Sequence, residues 1–181
     1  FSSNGFVDIT YAVPIEPGKF VEAAEIAKTT PILNLVTDEA AIVAPLAETA
    51  NRAGVKFGVF LKVDCGYHRC GVAPDSAEAT EIPRAIADSQ YLKFQGILTH
   101  AGHSYNARTK AEIQEIARSE RDVRVDLASR LYDNDIDVPT VSIGSTPSIT
   151  HADHLEGIDE IRPGNYIFFD NFQATLGSCS F

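Results

Sequence analysis

The fold prediction rests first on residues 57–72, which read FGVFLKVDCGYHRCGV. The segment opens with a mostly apolar run, Phe57–Val63, and continues directly into a polar, glycine-flanked run, Asp64–Val72. Apolar residues that do not alternate with polar ones are typical of a strand buried on both faces of a parallel sheet. Polar residues after such a strand lie at its carboxyl end, where parallel α/β folds carry their functional groups.

Short apolar runs and longer amphipathic stretches alternate along the rest of the chain. Further strands are predicted at Phe6–Val13, Ile32–Val36, Phe94–Leu98, Val138–Ile143 and Tyr166–Phe169, with a short one at Glu160–Ile161. Helices are predicted after Pro17, from a cap at Thr37 or Asp38 to Gly54, over Ser76–Ala87 and Ala107–Tyr132, and near Asn171. The predicted inner stripe of the longest helix is Ile113, Ile116, Val123, Leu127 and Leu131. This alternation predicts a parallel α/β sheet with right-handed crossovers.

Two architectures fit this pattern. A doubly wound open sheet would be complete in 181 residues, whereas a (β/α)8 barrel takes about 250 residues. A barrel would therefore lack its first strand. The chain begins with Phe1 and contains no methionine, so we expect that its natural start is not included. No repeat or linker divides the sequence, which predicts one domain over residues 1–181.

The charge balance disfavours several classes of partner. The chain has 15 Lys and Arg against 25 Asp and Glu, a formal net charge of −10. We expect no nucleic-acid partner and no membrane partner, because phosphates and anionic lipids both attract basic surfaces. The longest uncharged apolar stretch, Ala40–Ala47, is interrupted by Pro45 and is far shorter than the roughly 20 residues of a membrane span.

The cysteines and the absent motifs narrow the class further. Cys65, Cys70 and Cys179 form an odd, sparse set, which is a poor disulfide framework. With no signal-peptide pattern, a reducing, cytoplasmic setting is expected. P-loop, GxGxxG, GxSxG and HExxH motifs are all absent from the sequence, so the enzyme classes that carry them are not indicated.

Four polar clusters remain as candidates for chemistry, and the first follows the strand at Phe57–Val63. Its Arg69 presents a fork of donors that suits an anionic oxygen. A structural ion pair between Arg69 and Asp64 is one alternative. A metal site is another, although its spacing matches no common zinc pattern. Its ligands would be Cys65, His68 and Cys70.

The other three clusters also carry polar groups beside predicted strands. They are Thr99–Tyr105, with His100, His103 and Tyr105, then Gly144–Ser148, and then Arg162–Tyr166 with Gly164 and Asn165. A glycine followed by hydroxyls and a proline can form an anion cradle; a plain capped turn is the alternative. Together the last two clusters resemble a phosphate site built from two late barrel loops. A further pair, His151 and His154, is interpreted as a solvated surface turn.

In this order, the clusters resemble the N-terminal barrel of fold-type III pyridoxal-phosphate enzymes, the alanine racemase-like superfamily. The branch that they resemble most is that of D-threonine aldolase and eukaryotic-type D-serine dehydratase. The resemblance runs from Gly5–Pro14, through Val63–Val72, Thr99–Tyr105 and Ser142–Pro147, to Glu160–Asp170. The Gly-Ser-Thr-Pro and Arg-Pro-Gly-Asn-Tyr segments are its most specific parts. It implies an incomplete (β/α)8 TIM-type barrel that binds pyridoxal 5′-phosphate.

The resemblance also implies a role for each matching residue. Arg69 would lie near the phenolic oxygen of the cofactor ring, and His100 would pack against the pyridine face. Tyr105 or Arg162 would face the ring nitrogen. The phosphate would be held by Gly144, Ser145 and Thr146 with the backbone of Gly164 and Asn165.

Two features of the family lie outside this chain. The Schiff-base lysine is expected upstream of Phe1, since none of the six lysines here stands in its motif. The β domain that would carry ligands for a divalent metal, Zn or Mn, is also absent. The chain alone is therefore expected to be inactive, with its catalytic and metal residues elsewhere.

The whole protein is expected to be a dimeric lyase that acts on a small D-β-hydroxy amino acid, as an aldolase or a dehydratase. The segment His100–Tyr105 favours the dehydratase on resemblance alone. The alternatives are an amino-acid racemase of the same fold, a non-catalytic cofactor-binding barrel, and a metabolite-binding domain without cofactor.

Overall fold

Six strands form one parallel sheet and lie in it in the order in which they occur in the chain. They were located in a computed structural model, which describes residues 1–180. The strands are β1 (Asp8–Pro14), β2 (Ile32–Thr37), β3 (Phe57–Lys62), β4 (Leu92–Leu98), β5 (Val141–Ile143) and β6 (Glu160–Ile161). A doubly wound sheet reverses its strand order part-way across, so this sequential order excludes that alternative. It is the order of part of a barrel.

Six α-helices accompany the strands. They are α1 (Phe20–Ala27), α2 (Ala40–Ala53), α3 (Glu78–Ala87), α4 (Lys110–Tyr132), α5 (Thr146–His151) and α6 (Asn171–Thr175). Gly54 ends α2 as predicted, and its N–H bonds to the carbonyl oxygens of Ala50 and Asn51. The predicted cap is wrong, because α2 begins after Glu39 with no side-chain cap bond. None of the helices formed by residues 1–180 is both long and apolar enough to cross a membrane.

Apolar residues cover both faces of the central strands, as the run Phe57–Val63 predicts. Neighbouring residues of a strand point to opposite faces, and Leu35 and Val36 of β2 belong to different clusters. Leu35 lies in the main core, which the sheet shares with the helices. Val36 packs in a smaller cluster with Phe60 and Leu98, from β3 and β4.

The ladder between β4 and β5 is short. Only Ile97 with Val141 and Leu98 with Ser142 are paired there. The predicted strand at Val138–Ile143 begins instead at Val141, after Pro139, which has no N–H to donate to a neighbouring strand.

The predicted strand at Tyr166–Phe169 is wrong. Tyr166, Ile167 and Phe168 form bends and are 60%, 64% and 86% exposed. The last strand of the described chain is β6, which pairs with β5 alone. An apolar run needs a neighbour with which to pair, and residues 1–180 offer none on the outer side of β6.

Helix α4 buries a different stripe from the predicted one. Ile116 and Val123 are half-buried, and the fully covered positions are Ile113, Ala117, Glu120, Arg124, Leu127 and Leu131. These positions follow helical spacing, but two of the six are charged. Glu120 and Arg124 thus occupy positions that the pattern of apolar residues could not reveal.

Candidate functional site

The predicted polar clusters do meet, at the carboxyl ends of β4, β5 and β6. The His100 ring Nδ1 lies 2.6 Å from the Gly144 carbonyl oxygen, which joins the end of β4 to that of β5. The Arg162 guanidinium, just past β6, donates to the Thr99 carbonyl oxygen and to the Ser142 hydroxyl. Neighbouring strands in a parallel sheet bring such groups to one edge, and here they are in direct contact.

The loop after β3 is organised by the Asp64 carboxylate. Its Oδ1 accepts the N–H groups of Gly66 and His68, both at 3.0 Å, and its Oδ2 lies 2.6 Å from the His68 ring. Partial burial tends to raise the pKa of Asp64, but these hydrogen bonds hold it below its ordinary value. The alternative pairing of Asp64 with Arg69 is therefore wrong, since His68 is the partner.

Arg69 belongs instead to an aromatic group beside this loop. Its guanidinium carbon lies 5.0 Å from the centre of the Tyr67 ring, a cation–π distance. The Tyr67 ring stacks on His103 at 6.1 Å and meets His100 edge-on at 6.2 Å. Tyr67 was not singled out from the sequence, although its position between Gly66 and His68 in a loop that follows a strand was a usable signal.

The His100 ring is held in one tautomer. A carbonyl oxygen can only accept, so the proton of a neutral His100 lies on Nδ1 and Nε2 is left as an acceptor. Burial lowers the pKa of His100, outweighing the bond to Gly144 that favours the cation. The His100 imidazole ring is thus half-buried and mainly neutral near neutral pH.

The turn Gly144–Ser148 is a capped turn with a dense hydroxyl network. Ser145 and Ser148 form a capping box at the start of α5, and the Ser104 hydroxyl joins it at 2.7 Å from that of Ser145. The backbone N–H of Asn165 donates to the Thr146 hydroxyl at 3.0 Å, so the two late loops are in contact as predicted.

Gly144 is required by a close approach. Its φ is +155°, and a Cβ atom there would lie 2.8 Å from the backbone nitrogen of Arg162. A side chain would therefore push the loops after β5 and β6 apart.

The two candidates for the ring nitrogen differ in position. Arg162 lies over the strand ends, and burial lowers its pKa without removing its charge. Tyr105 stacks instead on Phe172, with ring centres 6.2 Å apart. Arg162 is thus the one of the two that reaches the ends of β4 and β5.

Lys62 at the end of β3 is a buried cation that sequence reasoning missed. It is 3% exposed, and its pKa falls to about 8, first because of burial. Arg162 and Arg69 lower the pKa further, whereas the thiols of Cys70 and Cys65 oppose them. A lysine inside the apolar run Phe57–Val63 was the signal for it.

Two further sequence interpretations are settled by the structure. His151 is not on a surface turn, because it ends α5 with 8% exposure, and its Nε2 lies 3.1 Å from the Leu176 carbonyl oxygen; His154 is exposed. Within residues 1–180 no group of three or more His, Cys, Asp or Glu could hold a metal ion. The alternative metal site at Cys65, His68 and Cys70 therefore has no support.

Comparison with protein families matches residues 12–172 to the alanine racemase N-terminal domain. The chain belongs to this family, and the resemblance inferred from its sequence is confirmed.

The individual proteins to which the chain is similar include dehydratases and an aldolase. The chain is 39% identical to the D-serine dehydratase of Dictyostelium discoideum, over 99% of this chain and 48% of that protein. It is 34% identical to the D-threo-3-hydroxyaspartate dehydratase of Delftia sp. (strain HT23), whose solved structure superposes with a TM-score of 0.92 over 98% of this chain and 47% of that one. The D-threonine aldolase of Arthrobacter sp. is 26% identical over 94% of this chain and 45% of that protein. The chain thus spans about half the length of these relatives.

Proposed function

We propose that this chain supplies the cofactor pocket of a pyridoxal 5′-phosphate-dependent lyase acting on D-β-hydroxy amino acids. The observation that carries the proposal is the meeting of the His100 ring, the Arg162 guanidinium and the Gly144–Thr146 turn at one edge of the sheet. The three relatives described above, two dehydratases and an aldolase, support the same class of activity.

The turn at Gly144–Thr146 fits the phosphate end of this cofactor. Gly144 lets the loops after β5 and β6 approach each other closely, since a Cβ there would lie 2.8 Å from the backbone nitrogen of Arg162. Among residues 1–180 the Thr146 hydroxyl and the Asn165 N–H are paired only with each other, so both can turn to a phosphate oxygen. Ser145 and Gly164 belong to the same two loops and are assigned to this end with them.

The residues on the other side fit the ring. His100 offers a neutral ring face to the pyridine ring. Arg69, which lies against the Tyr67 ring, is assigned to the phenolic oxygen, and Arg162 is assigned to the ring nitrogen. When bound, the cofactor supplies an electron-withdrawing ring that stabilises negative charge at the substrate Cα. Arg162 holds the ring nitrogen without readily giving it a proton, because a guanidinium keeps its own.

The rest of the activity is assigned to the parts of the protein beyond this chain. We place the Schiff-base lysine before Phe1, together with the first strand of an eight-stranded barrel. A divalent metal, Zn or Mn, would be held by residues of a following domain, and the whole protein would be a homodimer. Dehydration is favoured over aldol cleavage, since the two relatives that match 99% of this chain at 39% and 34% identity are both dehydratases.

The test is an assay of the full-length protein with D-serine, D-threonine and D-threo-3-hydroxyaspartate, with added divalent metal and with EDTA. Pyruvate and ammonia from D-serine, lost with EDTA, are the expected result. Glycine and acetaldehyde from D-threonine would instead show the aldolase, and interconversion of enantiomers would show the racemase. Cofactor binding without turnover would show a binding barrel, and no cofactor binding would refute the proposal.

A matched pair of variants links the activity to this chain. Arg162→Gln removes the half-buried guanidinium at the strand ends and is expected to abolish turnover. Arg118→Gln removes an exposed guanidinium that pairs with Glu115 and Asp153, and is expected to leave turnover unchanged. Equal activity of the two variants would contradict the assignment of Arg162.

A further inference from the structure

Glu120 is a fully buried carboxylate that the proposed function does not use. It projects from α4 with 0% exposure. Its Oε1 accepts from the Thr99 hydroxyl at 2.8 Å and from the Gly144 N–H at 3.3 Å. Its Oε2 accepts from the Ser148 hydroxyl at 3.1 Å. One side chain therefore holds the end of β4, the end of β5 and the start of α5.

The carboxylate also sets the direction of the hydroxyl protons in the turn. Ser148 gives its single proton to Glu120, because a bond to a carboxylate is stronger than the longer one to the Ser145 carbonyl oxygen. Ser145 then donates to Ser148 at 2.9 Å, and Ser104 must donate to Ser145. All three protons thus point toward Glu120.

The direction of these hydrogen bonds decides whether the Ser145 or the Thr146 hydroxyl can donate its proton to a ligand. The Ser145 proton is committed inside the network, whereas the Thr146 hydroxyl accepts from the Asn165 N–H and, within residues 1–180, has no acceptor for its own proton. The Thr146 hydroxyl is therefore the one of the two that is ready to donate to an anion.

A buried carboxylate next to an anion site needs a compensating charge. Arg124 lies one helical turn further along α4, is also 0% exposed, and donates from Nη1 to the Glu120 carbonyl oxygen. The guanidinium of Arg162 is a second cation near Glu120. The carboxylate can thus order the turn without leaving the region negative overall.

From these contacts we propose that Glu120 is a positioning residue for the phosphate of the cofactor. It acts through Thr99, Gly144 and Ser148 and touches neither the cofactor nor the substrate. The inference rests on the proposed function, since it assumes that the Gly144–Thr146 turn is where the phosphate binds.

The test measures binding to the metal-supplied, cofactor-free full-length protein. Pyridoxal 5′-phosphate and pyridoxal, which lacks the phosphate, are titrated against the parent protein and Glu120→Gln. The amide keeps the size of the side chain but replaces one accepting oxygen with a donor. The Kd for pyridoxal 5′-phosphate is expected to rise about tenfold or more, and the Kd for pyridoxal to change less than about twofold.

Two further variants complete the design. Glu115→Gln is the matched control, because Glu115 lies on the same helix with its side chain 72% exposed, and it is expected to bind both compounds as the parent does. Ser148→Ala removes one donor of the network and decides the matter if Glu120→Gln does not fold. It is expected to show the same selective loss for the phosphorylated compound.

The outcomes separate the two proposals. Unchanged affinity of Glu120→Gln for pyridoxal 5′-phosphate, or an equal loss for both compounds, would overturn the positioning role while the proposed function stands. Failure of the parent protein to bind pyridoxal 5′-phosphate would overturn the proposed function, and the positioning role with it.

Discussion

Replacing Lys62 with methionine is expected to stabilise the protein at neutral pH. Lys62 is 3% exposed, and burial is the main cause that lowers its pKa from 10.5 to about 8. At roughly 1.4 kcal/mol per pH unit, this difference corresponds to about 3 kcal/mol of folding free energy that the charged group costs. Methionine is similar in length and apolar, so Lys62→Met removes this cost without opening a large cavity.

The sign of the pH dependence follows from the lowered pKa. Below pH 8 the lysine is charged in both the folded and the unfolded chain, so the full cost is present. Between about 8 and 10.5 the folded chain loses the proton first, and stability rises with pH because the unfolded chain binds more protons. The advantage of Lys62→Met should therefore be largest below pH 8 and vanish near pH 10.5.

The assay is urea unfolding of the full-length, cofactor-free protein at pH 7, 9 and 10.5. Lys93→Met is the matched control, because Lys93 lies in the neighbouring strand β4 and is exposed. It is expected to change stability little at any of these pH values. A Lys62→Met protein that is less stable than the parent at pH 7, or whose advantage does not shrink as pH rises, would refute the reasoning.

Three other predictions concern the backbone and the site. Gly96→Ala is expected to lower the free energy of unfolding by at least about 2 kcal/mol, since Gly96 has a φ of +130° and its Cβ would overlap the Thr140 carbonyl oxygen; an unchanged urea midpoint would contradict this. Asp64→Asn is expected to lower the melting temperature at pH 7, and the gap should close as pH falls below the ordinary pKa of 3.8, because the folded carboxylate has the lower pKa; equal melting temperatures at pH 7 would count against it. At pH 6.5 the neutral form of the His100 ring, with its proton on Nδ1, should predominate, since burial lowers its pKa from 6.5. Imidazole ¹⁵N chemical shifts will show this, and a mainly cationic ring would be the contrary result.

The sequence predicted a strand at each position from β1 to β6 and one more beyond β6, which does not form. Phe57–Val63 reads as a buried strand and is one, apart from its last residue. Tyr166–Phe169 is just as apolar, yet it forms no strand because pairing depends on a neighbour that a local pattern does not contain. The composition of a segment therefore does not by itself decide whether the segment is buried or paired in a sheet.

The convergence of the candidate-site residues could be predicted from the sequence, but the contacts that hold them together could not. Glycine-flanked polar clusters after strands pointed to His100, Gly144 and Arg162, and these three are in contact with neighbouring strands. Glu120 and Lys62 were missed because each is a charged residue at an apolar position, in α4 and β3 respectively. A charge at such a position is itself a signal, since burying it requires partners or a shifted pKa.

The short ladder between β4 and β5 has a consequence for dynamics. Only two residue pairs join these strands. Hydrogen bonds of His100, Glu120 and Arg162 therefore supply much of the contact between the strand ends. Binding of a ligand to the Gly144–Thr146 turn should then also order strand β5. The amide protons of Val141–Ile143 would exchange with solvent readily in the ligand-free protein, and slowly once a ligand is bound at the Gly144–Thr146 turn.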